Sequence, residues 1–180
     1  MNIKEMVVAV VMSSLYAALV VILGIFSYGP LQLRIADALI MLSALIGWPA
    51  IVGATLGCFI GNIMTNILYY WIGPLDIFLG PLANFLSSVL IFYMRKKPYV
   101  AGILGSLIVG IIVGSYLWLF FPPPSSLTIF HPWTAMVVSI TSSSIVTIAI
   151  LGNLLLKVLR RPPIISLFKS IGIKIYLNEI

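Results

Sequence analysis

The sequence predicts an all-α membrane protein, a bundle of six transmembrane helices with both termini on the cytoplasmic side. Three observations carry this. The 180 residues are 62% hydrophobic and only 8% charged, with a mean hydropathy of +1.21. Water-soluble domains are about half apolar and about a quarter charged, so this chain cannot clothe a surface in water, and its solvent is lipid. Second, the apolar runs are long and do not alternate, which excludes the strands of a membrane barrel. Third, nine of the ten Lys and Arg fall on one side of the bundle when the runs are counted as spans.

The runs are Met6–Phe26, Leu31–Ile46, Pro49–Tyr70, Asp76–Met94, Val100–Phe121 and Pro132–Leu159. The first is of span length, longer than a signal-peptide core, and is read as a helix of the bundle. The second is short. Sixteen residues at about 1.5 Å each reach roughly 24 Å, less than the hydrocarbon core. Such a helix survives only if neighbours wrap it or its outer end opens into a cavity. Residues 1–161 form the transmembrane domain. Residues 162–180, apolar with interspersed lysines and too short to span, form a cytoplasmic tail, with a helix lying in the membrane interface.

Six spans place both termini on one side. With that side inside, Lys4, Arg95, Lys96, Lys97, Lys157, Arg160, Arg161, Lys169 and Lys174 are all inside, and only Arg34 is outside. Membrane proteins favour this asymmetry. It accounts for the net charge of +6 without a nucleic-acid partner. The single cysteine, Cys58, cannot form an internal disulfide.

Gly-Pro-Leu occurs at 29–31, 73–75 and 80–82, and the first two copies open the second and fourth helices. Proline costs no hydrogen bond in a first turn. With Pro132 after the FPPPSS stretch, three helix N-termini face outward, positive dipole ends first.

The outer polar residues are few, and each has a structural and a functional reading. Arg34 and Asp37 are i,i+3 neighbours on a helix. They form either a self-neutralising ion pair or the floor of an outer cavity, since ionisable groups within the membrane default to function. Asp76 caps its helix, lines the site, or does both. Asn62, Asn66 and Asn84 bond across to other helices or offer paired donor and acceptor to a heterocyclic edge. His131 is the only histidine. Gly53, Gly57 and Gly61 make a flat packing ridge. Ala9, Ser13 and Ala17 make another on helix one, for internal packing or for a partner subunit. Trp71, Trp118, Trp133, Tyr28, Tyr69 and Tyr70 fall near outer helix ends as interfacial anchors, with one or two, Trp71 among them, suited to stack on a planar ligand.

What the chain lacks narrows the function further. It has no phosphate-binding P-loop motif for ATP, no carboxylate in the middle of a span for a proton relay, and too few Cys and His for a metal cluster. No metal or cofactor is expected. One histidine among scattered serines does not make a hydrolase.

The stretch LQLRIADALIMLSALIGWPAIVGATLGCFIGNI, followed by IGPLDIFLGPLAN, resembles the QueT family, the substrate-binding S components for queuosine precursors in energy-coupling factor transporters. The matching pieces are the Arg-x-x-acid-Ala-Leu run at 34–39, the glycine-rich helix at 53–62, and Gly-Pro-Leu-Asp with Gly80 downstream. Asp37 stands where the family pattern leads one to expect glutamate, and Asn84 where threonine is usual; the flanks match only in character. The resemblance implies an S-component-like bundle in the cell membrane that captures a 7-deazaguanine from outside. It also implies association with a transmembrane coupling subunit and two ATPase subunits. Implied ligand residues are Arg34, Asp37, Asn62, Asn66, Trp71, Asp76, Asn84 and His131; Ala9, Ser13 and Ala17 would meet the coupling subunit. The alternatives are an S component for another planar vitamin or nucleobase, or a small membrane enzyme using Asp37, Asp76 and His131.

Overall fold

A computed structural model describes residues 1–24, 32–68, 74–127 and 129–177 of the chain. Among the described residues, five helices are long and apolar enough to cross a membrane: α1 (Ile3–Ile22), α3 (Trp48–Leu68), α4 (Pro74–Tyr93), α5 (Pro98–Leu117) and α6 (Pro132–Leu159). The sixth expected span is a shorter apolar helix, α2 (Ile35–Ile46). A seventh helix, α7 (Pro162–Ser170), lies in the tail.

Local chemistry sets several of these ends. Asn2 and Glu5 form a reciprocal capping box at the start of α1, which satisfies two otherwise open backbone donors. Proline stands in the first turn of α5, α6 and α7, where its missing N–H costs nothing.

The short helix α2 sits in the middle, with α1, α3, α4 and α6 packed around it. Every residue from Ala36 to Ile46 is buried, so neighbours wrap it as its length requires. Its first eight residues, Ile35–Leu42, wind as a 3-10 helix. That winding rises about 2.0 Å per residue, which stretches the helix beyond its α-helical length. In α6 the segment Ile145–Leu151 winds instead as a wider π-helix. These two irregular stretches pack on each other. A Cβ at Gly152, at the end of the π segment, would stand 2.5 Å from Met41 Cγ and 3.1 Å from the Ala38 carbonyl.

The two small-residue ridges meet face to face. A Cβ at Gly53 would lie 2.9 Å from the Ala9 carbonyl, and one at Gly57 would lie 2.7 Å from the Ser13 carbonyl. At Gly61 the nearest backbone is Ala17 Cα, at 3.5 Å. Small residues on both helices let the backbones approach this closely. Ala9, Ser13 and Ala17 thus pack against α3, and Ala9 and Ser13 also border the groove between the two helices.

The start of α1 and the tail share one end of the bundle, since Lys4 lies against Gly172. The tail returns to that end. Ile165 and Ile173 join the hydrophobic core, and the Tyr176 amide donates to the Leu45 carbonyl at 2.8 Å. The Tyr176 ring meets Phe92 edge-on at 5.0 Å. It also covers Gly47, whose φ of +67° joins α2 to α3 and where a Cβ would lie 2.7 Å from the ring. This end is termed terminal below, and the opposite end distal.

Candidate functional site

Five helices place polar side chains in one buried cluster in the distal half. Arg34, at the start of α2, brings Nη2 to 3.9 Å from Asp76 Oδ2 and Nη1 to 3.5 Å from Cys58 Sγ on α3. The other oxygen of Asp76 accepts from the Tyr116 hydroxyl on α5 at 2.6 Å. The Asp76 backbone carbonyl accepts from Asn62 Nδ2 at 2.7 Å. Asp37 accepts from the Tyr16 hydroxyl on α1, and that hydroxyl accepts in turn from Asn84 Nδ2 at 2.7 Å. Two carboxyl groups, each served by a tyrosine, thus share a centre with one guanidinium.

The sequence supplies this arrangement locally. Gly80 has no Cβ, and one there would lie 2.6 Å from Asn62 Nδ2, so glycine leaves the amide its path to α4. Asp76 lies in the first turn of α4, where a carboxylate also suits the helix dipole. Arg34 is the residue before the first turn of α2, which delivers its long side chain into the bundle.

The cluster is sealed. Asp76 is 0% exposed, Asp37 4% and Arg34 6%. The expected open, water-filled hollow is therefore corrected: the residues converge, but they are packed against one another rather than lining a cavity floor. Charged groups are kept out of water only with partners, and the contacts above are those partners. Even so, Asp76 Oδ2 and the Gln32 side-chain nitrogen are buried with no hydrogen-bond partner among the described residues.

Of the residues singled out from sequence, Arg34, Asp37, Asn62, Asp76 and Asn84 come together. The i,i+3 spacing of Arg34 and Asp37 had suggested a pair between those two; the ion pair seen joins Arg34 to Asp76. Asn66 is half-buried one turn beyond Asn62 and donates to the Asn62 carbonyl at 2.9 Å. His131 stands apart. It is exposed, caps α6 by accepting from the Trp133 amide at 3.3 Å, and meets the Trp118 ring at 6.2 Å. Trp71 lies outside the described residues, as do Tyr28, Tyr69 and Tyr70. Sequence reasoning missed Tyr16, Gln32, Cys58 and Tyr116. A tyrosine deep within a span was the available signal, because a buried phenol needs a partner.

Among the described residues no group of His, Cys, Asp and Glu is arranged to hold a metal ion. The chemistry on offer is recognition. Carboxylate oxygens accept paired N–H groups, a guanidinium donates to carbonyls, and amides do both.

Apolar helices of span length, wrapped around a short central helix and a sealed polar cluster, define a multi-pass membrane protein with an internal polar site. Residues 6–161 match the family described as QueT transporter, and the chain belongs to that family of membrane transporters. Comparison with curated proteins and with solved structures found no match.

Proposed function

We propose that this chain is the substrate-capture component of an energy-coupling factor transporter. It binds a queuosine precursor, a 7-deazaguanine, in the distal half and delivers it for uptake driven by partner ATPases. The observation that carries the reading is the convergence of Arg34, Asp37, Asn62, Asp76 and Asn84, from three helices, on one buried centre.

The chemistry of a guanine-like edge fits those groups. Its adjacent N–H donors suit a carboxylate, Asp37 or Asp76, which accepts both in a charge-assisted pair. Arg34 and the amide of Gln32 serve the ring carbonyl, Asn62 and Asn84 cover remaining polar atoms, and Trp71 stacks on the ring. Buried polar groups left unpaired cost about 1–3 kcal/mol each, so a ligand lacking those donors is rejected. Because the cluster is closed, the Arg34–Asp76 pair opens when the ring enters, and ligand contacts replace it.

The distal end faces outward in this reading, with both termini in the cytoplasm and α2 counted as the sixth membrane segment. The chain has no motif of its own for ATP. A transmembrane coupling subunit and two ATPase subunits supply the energy. The coupling subunit docks along α1 and α3, where Ala9 and Ser13 border a groove with Val10, Leu56 and Ile60, and Ala17 continues the same ridge.

The test is a thermal-shift screen of the purified chain in detergent against 7-deazaguanines, guanine and several vitamins. The proposal expects stabilisation by the deazaguanines above all others. Stabilisation by a different planar vitamin alone overturns the substrate assignment, and turnover of a ligand without partner subunits overturns the transporter role.

A further inference from the structure

The bend between α6 and α7 lies at the terminal end, away from the distal cluster. A groove of about 380 Å³ at this bend is lined by Leu154, Lys157, Val158, Arg160, Arg161 and Pro162. Three of these residues are cationic and none is an acid. The chain has only four acidic residues, Glu5, Asp37, Asp76 and Glu179. Asp37 and Asp76 are sealed in the distal cluster, and Glu5 is engaged with Asn2 and the N-terminal amine. Glu179 lies outside the described residues.

The backbone of the bend offers little to a ligand. The amides of Arg160, Arg161, Ile164 and Ile165 all donate to carbonyls within the bend or the last turn of α6. Pro162 and Pro163 carry no N–H. Recognition here falls to side chains. The two prolines also restrict the turn, which holds Arg160 and Arg161 where the span ends.

A second observation says what meets those cations. Leu154, Lys157 and Val158 are spaced i, i+3 and i+4, so they share one face of α6. Ile150, Leu154 and Val158 are 52%, 56% and 44% exposed. On a helix of span length they form an apolar stripe, and its last two members line the cationic groove itself. A molecule matching both features has a hydrocarbon chain to lie along the span and a negative charge at its end.

We infer that the α6–α7 bend is a binding site for an anionic phospholipid. Lys157, Arg160 and Arg161 take the phosphodiester, the guanidinium groups as planar paired donors. One acyl chain lies along Ile150, Leu154 and Val158. Basic residues at a membrane surface attract anionic lipid, and each adds to the affinity. The site shares no residue with the groove between α1 and α3, and it stands whichever small molecule the distal cluster takes.

The experiment is native mass spectrometry of the purified full chain in detergent. It is titrated separately with dioleoylphosphatidylglycerol, dioleoylphosphatidylcholine and inorganic phosphate. The expected result is that phosphatidylglycerol binds at least about tenfold more tightly than phosphatidylcholine, while inorganic phosphate at the same concentration leaves no adduct. In Lys157→Gln/Arg161→Gln the preference falls to about threefold or less. A control pair, Lys96→Gln/Lys97→Gln, removes exposed charges from the α4–α5 connection and retains the preference. Equal affinity for the two lipids in the wild type overturns the inference. A preference kept in the first pair, or lost equally in both pairs, overturns the site. Phosphate binding as tight as that of phosphatidylglycerol assigns the groove to a soluble anion and overturns the lipid.

Discussion

Tyr116 and Tyr16 show at the residue scale how the cluster is held. Each phenol is buried and each donates a hydrogen bond to a carboxyl group, Asp76 in one case and Asp37 in the other. Removing one hydroxyl leaves a buried acceptor short of a donor, at a cost of about 1–3 kcal/mol. Tyr116→Phe is therefore expected to lower the thermal midpoint of the purified protein in detergent. A midpoint equal to that of the wild type would show that the bond contributes nothing. The charged members of this cluster were legible in the sequence because ionisable groups in an apolar chain are few and expensive. The tyrosines and Cys58 were not, because each passes as an ordinary apolar residue of a span until packing gives its polar atom a partner. His131 drew notice for the converse reason. Rarity made it stand out, and the structure gives it a local role as the cap of α6.

At the scale of elements, the contact of α1 with α3 ties packing to the site. A Cβ at Gly57 would lie 2.6 Å from the Cβ of Tyr16, and Tyr16 is the donor to Asp37. Gly57→Ala is thus expected to cost about 1–3 kcal/mol by overpacking and to weaken ligand binding with it, through displacement of Tyr16. Unchanged stability and affinity in this variant would contradict the close approach. The tail offers a separate test. Tyr176→Ala removes the ring that covers Gly47 and stacks with Phe92, Arg95 and Lys174. Loss of these ring contacts is expected to lower the thermal midpoint, whereas a tail that merely rests in the interface would leave it unchanged. The long helices were readable from apolar run length, and the end of α6 agrees to the residue. The 3-10 winding of α2 and the π segment of α6 were not readable, since they arise where two helices press together rather than from local propensity.

For the whole molecule, every Lys and Arg but Arg34 gathers at the terminal end, beside Lys4, Arg95 and the tail, while the distal half keeps Arg34 and the polar cluster. The positive-inside bias then predicts which end faces the cytoplasm. A cysteine introduced at Ser126, in the exposed distal connection, is expected to react with a membrane-impermeant maleimide on intact cells. One introduced at Ser170 reacts only after permeabilisation. The reverse pattern would invert the orientation and with it the proposed direction of capture. Cys58 is buried and contributes no background label.

The central claim is that the sealed carboxylates are the ligand's partners and not merely internal ties. Its most direct test is titration of purified wild type, Asp37→Asn and Asp76→Asn with one 7-deazaguanine, with thermal unfolding confirming that each variant is folded. The account predicts saturable one-to-one binding by the wild type and at least about tenfold weaker binding in both variants, the loss of one charge-assisted bond of about 1.5–3 kcal/mol. Wild-type affinity in both folded variants would contradict it.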